Sequence, residues 1–509
     1  MKLNLQGIQS DWPEGYKLPA FDIEAMKKRT AEAPTWLQLG AGNIFRIFVA
    51  VAQQDLLEAG LSDTGIVVYE GFDEEIIPKA FTPHDNLTLG VTLNANGSTQ
   101  KRVIASIADA FFHNTEKLHR IMVQPSLQII SIIITEKGYT VDKSAVCAGP
   151  GEAKTTLEQL VSGLHARFNE NAPPLALVTM DNFAENGEKL AHAVLAVAEV
   201  WEQRGFVPAG FVPYLKTYSY PWTMIDKITP RPSADVAKIL QDEGYQDIEV
   251  SKTAKNTFVA SFVNAESAQY LVIEDDFPNG RPPLEKAGIY FADKETVRKI
   301  DQMKVCACLN PLHTILAISG MLLNIPTISE CMKNDALVRL IKASAEEALP
   351  VVADPGIINP RTFLEEVITE RFPNPFIPDE PARIACDTSQ KVPVRFGEML
   401  KARKAQGMDI ENLKAAPLFI ALWLRYRMAV RDTGEAMELS PDPRLPEKMN
   451  VLAGVSLGEG GQVDLKPILS DAAIFGVDLY AVGLGSKIEA IFHELSAEAG
   501  AVARKLAEF

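Results

Sequence analysis

The chain has 509 residues, 47% of them hydrophobic and 23% charged, and a formal net charge of −16. That length and apolar share exclude intrinsic disorder and suit two large domains or three smaller ones, each with a sizeable core. The acidic balance opposes a general nucleic-acid or anionic-membrane surface, so an anionic small molecule must be met by a local cluster of cations.

Five cysteines, Cys147, Cys306, Cys308, Cys331 and Cys386, are odd in number and lack zinc-ligand spacing. Cys306-x-Cys308 has no second pair to complete a tetrahedral site, so reduced thiols and no bound metal are expected. The N-terminus lacks a basic-then-apolar leader, and apolar runs such as 127–134 are too short to span a bilayer. A cytoplasmic protein handling small molecules, as a monomer or small homo-oligomer, is the expectation.

In chain order, residues to about Pro34 mix proline, lysine and aspartate and read as an arm. Thr35 to Leu39 predicts a strand running into Gly40-Ala-Gly42-Asn43-Ile44-Phe45-Arg46, with an apolar-periodic helix following through Leu57. Strand, glycine turn and helix are the setting a dinucleotide needs. Gly40 permits the tight turn, and Gly42 lets backbone approach a pyrophosphate at the helix N-terminus. The third glycine of the fingerprint is missing, which leaves a plain strand-to-helix turn as the alternative. The next strand, from Gly65, ends at Glu70. An acid there can accept from adenosine ribose hydroxyls and repel a 2′-phosphate, favouring NAD over NADP, with Asp73 the competing candidate.

Further strands are predicted at 87–92, 103–107, 127–134 and 175–180, and helices at 157–169 and 187–203. The nearly continuous apolar run 127–134 suits a central parallel strand covered on both faces. Asp181-Asn182 after the last strand reads locally as a turn or cap. Proline and glycine cluster towards Gly288, and helical periodicity dominates beyond it, dividing the chain into domains at 1–288 and 289–509.

The segment from Asp301 to His313 supplies a carboxylate, the amine of Lys304, the amide of Asn310 and an imidazole, which are the parts of a proton-transfer site. Pro311 fits a first helical turn, so Asn310 reads as N-cap of a helix reaching Leu322. A lysine that accepts a proton near neutral pH needs a pKa below its free value of about 10.4. The bland alternatives are a simple cap and a solvated lysine. Other helices are predicted at 327–348, 360–370, 394–406, 416–432 and 487–508. Between them, Arg383 and Lys391 stand eight apart in a proline-rich stretch, as a solvated basic face or as a grip on a carboxylate.

These motifs together resemble the polyol-specific long-chain dehydrogenases, the mannitol dehydrogenase family. Asp301, Met303-Lys304 and Asn310-Pro-Leu-His313 are similar to that family's acid, Met-Lys and Asn-x-x-His signature. Residues 37–48 are similar to its Gly-x-Gly-x-Phe-x-Arg fingerprint, with Ile44 where the first Phe stands. Residues 135–139, 181–187, 224–230, 271–285 and 371–395 resemble its remaining motifs in the correct order, so the likeness runs from about residue 35 to beyond 435.

The resemblance implies an α/β doubly wound Rossmann-type N-terminal domain plus a mostly α-helical C-terminal domain, with substrate in the cleft between. NAD would lie on Gly40, Gly42, Asn43, Ile44, Phe45, Arg46 and Glu70. In the implied metal-free reaction, NADH delivers hydride to a keto-sugar carbonyl, Lys304 supplies the proton, Asn182 and Asn310 stabilise the oxyanion, and Asp301 relays protons. His313, Arg383, Lys391 and Asp226 would orient a sugar acid or polyol.

Two departures stand out. Five residues rather than four separate Lys304 from Asn310, and about 100° of added rotation requires a bulge to restore their phase. Cys386 stands where mannitol dehydrogenases have a histidine. That loss argues against a mannitol-type pocket, and the Arg383 and Lys391 pair can meet a carboxylate, so among fructuronate and mannonate, tagaturonate and altronate, and fructose and mannitol, the first pair is favoured. A protein of another class, binding NAD(H) but catalytically silent, would keep the same fold.

Overall fold

The computed structural model describes residues 1–509. They form two compact units, Met1–Asn94 with Ser98–Arg298, and Lys299–Phe509 with Ala95–Gly97.

The first unit is built on five parallel strands: β1 (Trp36–Leu39), β2 (Ile66–Glu70), β3 (Ile107–Phe112), β4 (Ile129–Ile132) and β5 (Ala176–Thr179), in spatial order β3-β2-β1-β4-β5. Alternate residues serve opposite faces. Leu37, Leu39, Ile130, Ile132 and Leu177 pack with Leu157, Leu160, Leu190 and Val194 of the helices Thr156–Asn169 and Asn186–Gln203. Trp36, Val68, Ile129 and Val178 pack with Phe45, Phe48 and Leu56 on the other face. Both faces are therefore covered, as the apolar run through β4 requires. Chain order reverses beside β1, and the carboxyl ends of β1 and β4 form the crevice where such sheets bind ligands.

The single strand expected at 103–107 is two strands in two sheets. Thr99–Ile104 pairs antiparallel with Thr88–Leu93, whereas Ile107–Phe112 joins β2. At the crossing, the Gln54 side chain donates to Val103 O at 2.9 Å and accepts from Ala105 N–H at 2.6 Å, replacing ladder partners. The N-terminal arm holds a helix, Ile23–Glu32, capped by Asp22. Beyond Gly288, Tyr290–Ala292 still pairs with Tyr270–Glu274 before the helix Lys294–Met303, and the compact units part inside that helix.

The second unit is helical. Ala415–Tyr426 is buried at all twelve positions and Asn310–Leu323 at ten of fourteen, so both are core helices. The continuous helical run 294–323 is long and apolar enough to cross a membrane, but 72% of its apolar window is buried inside the protein. The helix expected at 327–348 is two, Ile328–Cys331 and Asp335–Ala348, because Asn334 caps the second through Ala336 and Leu337 N–H. That expected at 487–508 breaks at Gly500, φ +80°, into Gly485–Leu495 and Ala501–Glu508. Wide π turns replace α turns at Lys304–Cys308, Val367–Arg371 and Pro393–Gly397.

Candidate active site

In the first unit the glycine turn lies at the carboxyl end of β1. Gly40 has φ +93°, and a Cβ there would meet Ile133 O at 2.1 Å, so only glycine lets β1 pass β4 this closely. A Cβ on Gly42 would meet nothing within 4 Å. Gly42 instead borders a cavity of about 1040 Å³, shared with Glu70, Phe72, Ile134, Thr135, Lys255 and Thr257. Open space beside a glycine at a helix start fits a dinucleotide's pyrophosphate. Asn43 and Ile44, half-buried, begin the helix, which passes through a π turn at Phe45–Val49.

Three expectations for this turn are corrected. Arg46, expected among the cofactor residues, is turned into the core and is 1% exposed. It donates to Thr88 Oγ1 and Ala260 O at 3.0 Å, to Ser261 O at 3.4 Å and to Ala80 O at 3.5 Å, and lies over the Phe81 ring. Burial pushes its pKa down to about 10. The Phe45 side chain is likewise core, at 0% exposure. Glu70 is less a free ribose acceptor than a brace. One oxygen accepts from Ala41 N–H at 2.9 Å, and the other from Phe72 and Asp73 N–H at 2.8 and 3.1 Å. Glu70 still borders the cavity, whereas Asp73, 1% exposed, accepts from Thr253 Oγ1.

The other first-unit candidates lie at strand ends. Asn182 is exposed just past β5, where neighbouring Asp181 accepts from Ile134 and Thr135 N–H and from the Tyr139 hydroxyl. Burial pushes the Asp181 carboxyl up against those hydrogen bonds. Asp226, 5% exposed, ends the strand Thr223–Asp226 opposite Tyr270.

In the second unit the extra residue before Asn310 is absorbed by the π turn Lys304–Cys308, which Leu309 N–H closes onto Lys304 O at 3.2 Å. An i→i+5 turn takes up one more residue than an α turn, so the helix direction survives the insertion. Asn310 is not an N-cap: it is the first helical residue, preceded by Leu309, and no side chain caps this helix. Its amide is thus left out of the capping role. Lys304 is 3% exposed, with Nζ 3.8 Å from Asp301 Oδ1.

One turn on, His313 Nε2 stands 3.0 Å from Asp379 Oδ2, off the line of a hydrogen bond. Asp379 also pairs with Arg383. Burial lowers the His313 pKa although Asp379 raises it; burial would raise that of Asp379, but His313 and Arg383 hold it low. Lys391 uses two of its three N–H groups inside the fold. It donates to Ile384 O at 2.8 Å and Cys386 O at 2.5 Å, fixing the loop that carries Cys386, and burial lowers its pKa. Arg395 was not expected. It donates to Asn310 O at 3.1 Å and to Thr314 Oγ1, and burial brings its pKa down to about 10. Arg395 four residues after Lys391, and Asp379 four before Arg383, are the only sequence signals that could have found these two. All five cysteines are free, and burial raises the thiols of Cys306 and Cys308 to about 11 and 12.

A doubly wound sheet with a glycine turn at its switch point, and a buried lysine beside a carboxylate, define a dehydrogenase of Rossmann type. The chain belongs to the mannitol dehydrogenase family: residues 34–286 match the mannitol dehydrogenase Rossmann domain and residues 296–495 the mannitol dehydrogenase C-terminal domain. A D-mannonate oxidoreductase of Thermotoga maritima is 45% identical over 532 aligned residues, covering 100% of this chain and 99% of that protein. A mannitol 2-dehydrogenase of Cereibacter sphaeroides is 28% identical, over 82% of this chain and 85% of its own. Among solved structures, the fold is shared with a substrate-free D-sorbitol dehydrogenase (TM-score 0.81, 21% identity, 99% of each chain). It is shared also with Pseudomonas fluorescens mannitol 2-dehydrogenase bound to NAD and D-mannitol (TM-score 0.69, 24% identity, 100% of this chain and 99% of that one).

Proposed function

We propose that the chain is a cytoplasmic, NAD-dependent oxidoreductase that interconverts D-fructuronate and D-mannonate without a metal, using Lys304 as acid and base. What carries this reading is the 45% identity, across the whole chain, to a protein named D-mannonate oxidoreductase. The first unit binds the dinucleotide and the second supplies the proton-transfer and substrate groups.

A bound nicotinamide supplies the hydride on reduction and takes it on oxidation. In the Gly40 to Gly42 turn the Gly40 and Ala41 N–H groups already bond Tyr69 O and Glu70, so the pyrophosphate is met by Gly42 and the helix start that follows it. Lys304 gives its proton to the carbonyl oxygen as the alcohol forms, and takes it back in the reverse direction. Its burial keeps water from competing for that proton, and Asp301 at 3.8 Å passes protons outward. The Asn310 amide, with no capping role to hold it, donates to the same oxygen as charge develops there. Asn182 is the second donor in this reading. Arg383, its side chain 64% exposed while its guanidinium pairs with Asp379, meets the substrate carboxylate; His313 and Asp226 meet hydroxyls.

With NADH, the purified protein should reduce D-fructuronate to D-mannonate, identified by chromatography against the authentic acid. kcat/KM for D-fructose, which lacks the carboxylate, should be lower by about a hundredfold, the scale of one lost charge-assisted contact, and that for D-tagaturonate, which keeps the carboxylate and differs only in hydroxyl configuration, by about tenfold. A preference for fructose would replace this reading with a mannitol dehydrogenase, and a preference for tagaturonate with its reductase. Tight NADH binding without turnover of any would favour a silent dinucleotide-binding protein.

A further inference from the structure

One wall of the first unit's cavity comes from a hairpin far along the chain. Val250–Lys252 and Phe258–Ala260 pair antiparallel, and their connecting turn is fastened to the loop after β2. Thr253 Oγ1 donates to Asp73 Oδ2 at 2.6 Å, and Ala254 N–H to Glu75 Oε1 at 2.6 Å. Lys255 Nζ lies 4.6 Å from the centroid of the Phe72 ring, which is itself 63% exposed. Lys255 and Thr257 border the cavity together with Glu70, Gly71 and Phe72.

In doubly wound folds the end of the second strand is where the adenosine ribose lies. Glu70 stands there, but both its oxygens already accept backbone N–H groups. The exposed charge beside it is an ammonium. Resting on the reading of this cavity as a dinucleotide site, we propose that Lys255 meets the 2′ position of the adenosine ribose and, against Glu70, sets the balance between NAD and NADP. A cation interacts more strongly with a 2′-phosphate than with a neutral 2′-hydroxyl, so Lys255 softens the exclusion of NADP that Glu70 imposes. Phe72 and the two bonds at Thr253 and Ala254 hold the lysine's stem and its turn in place, which limits the ordering cost of that contact.

The test is calorimetric binding of NADH and NADPH to the full chain without substrate. Lys255→Ala should raise the ratio of NADPH to NADH dissociation constants about tenfold at low salt, and Lys255→Glu should raise it further. Lys255→Arg should stay near wild type. Lys252→Ala, which removes the same charge from the adjoining strand and does not border the cavity, should leave the ratio unchanged. The shift should shrink as ionic strength rises, as for any solvent-exposed charge pair. A ratio that moves less than about twofold in Lys255→Ala at low salt overturns this assignment alone. A wild-type protein that binds neither dinucleotide overturns the reading of the cavity, and this assignment with it.

Discussion

Replacing Arg46 with methionine separates a cofactor ligand from an internal tie. The guanidinium has two acceptors at 3.0 Å, Thr88 Oγ1 and Ala260 O, and two longer ones, Ser261 O and Ala80 O. They join the glycine-turn helix, the strand Thr88–Leu93 and the chain around 260. Methionine fills much of the volume but donates nothing, so the two close acceptors lose their partners at about 1–3 kcal/mol each, and the two longer contacts add less. The expected loss is about 4 kcal/mol, or roughly 10 °C in melting temperature for a domain of this size. Differential scanning fluorimetry reads the stability, and fluorescence titration at a temperature where the variant is folded reads NADH affinity. The structure predicts a large drop in melting with affinity held within about threefold, since no cofactor contact is removed. An unchanged melting temperature with NADH binding weakened a hundredfold would refute the internal role and restore Arg46 as a cofactor residue.

Deleting Val305 removes the one residue that the π turn absorbs. Because a π turn relaxes to an α turn on losing a residue, melting should change by only about 3 °C and turnover by less than about tenfold; a thousandfold loss would mean that the π geometry itself places Lys304. Glu70→Ala leaves the N–H groups of Ala41, Phe72 and Asp73 without their acceptor, so it should cost about 3 kcal/mol in thermal unfolding and weaken NADH as well as relax the exclusion of NADPH. Glu70→Gln, keeping one acceptor oxygen, should lose less, and equal melting of wild type and both variants would contradict the brace. Burial lowers the pKa of His84, His119, His165 and His313. The unfolded chain therefore takes up protons near pH 6.5 that the folded chain refuses, so stability present above that pH is lost as pH falls through it. Melting temperature should fall from pH 7.5 to 5.5 and fall less in His165→Phe; a rise on acidification would contradict this.

Local chemistry made part of this molecule legible. The β1 turn announces itself because Gly40 must take a positive φ against Ile133 O, and β4 because a nearly continuous apolar run has no solvent face. The capping signal at Asn334 was equally present, though helical periodicity on both sides masked the break. Asn310 misled for the opposite reason: Asn before Pro is a strong local cap pattern, but the preceding π turn already supplies a helical approach, leaving no capping vacancy. Arg46 was counted among the cofactor residues through the fingerprint alone, because its acceptors at Ala260 and Ser261 lie more than 200 residues away. The hairpin at Lys255 was invisible on the same ground, and Asp379 and Arg395, signalled only by their spacing from Arg383 and Lys391, reach His313 and Asn310 only when distant segments fold together.

The central claim is that Lys304 moves the proton, and Lys304→Ala tests it most directly. With D-fructuronate and NADH, the variant should lose about three or more powers of ten in kcat, the scale of a missing acid. NADH affinity measured by fluorescence should stay within about threefold, because in this account Lys304 touches the reacting oxygen and not the cofactor. Near-normal turnover in Lys304→Ala, with activity abolished instead by removal of Arg383 or Arg395, would contradict it.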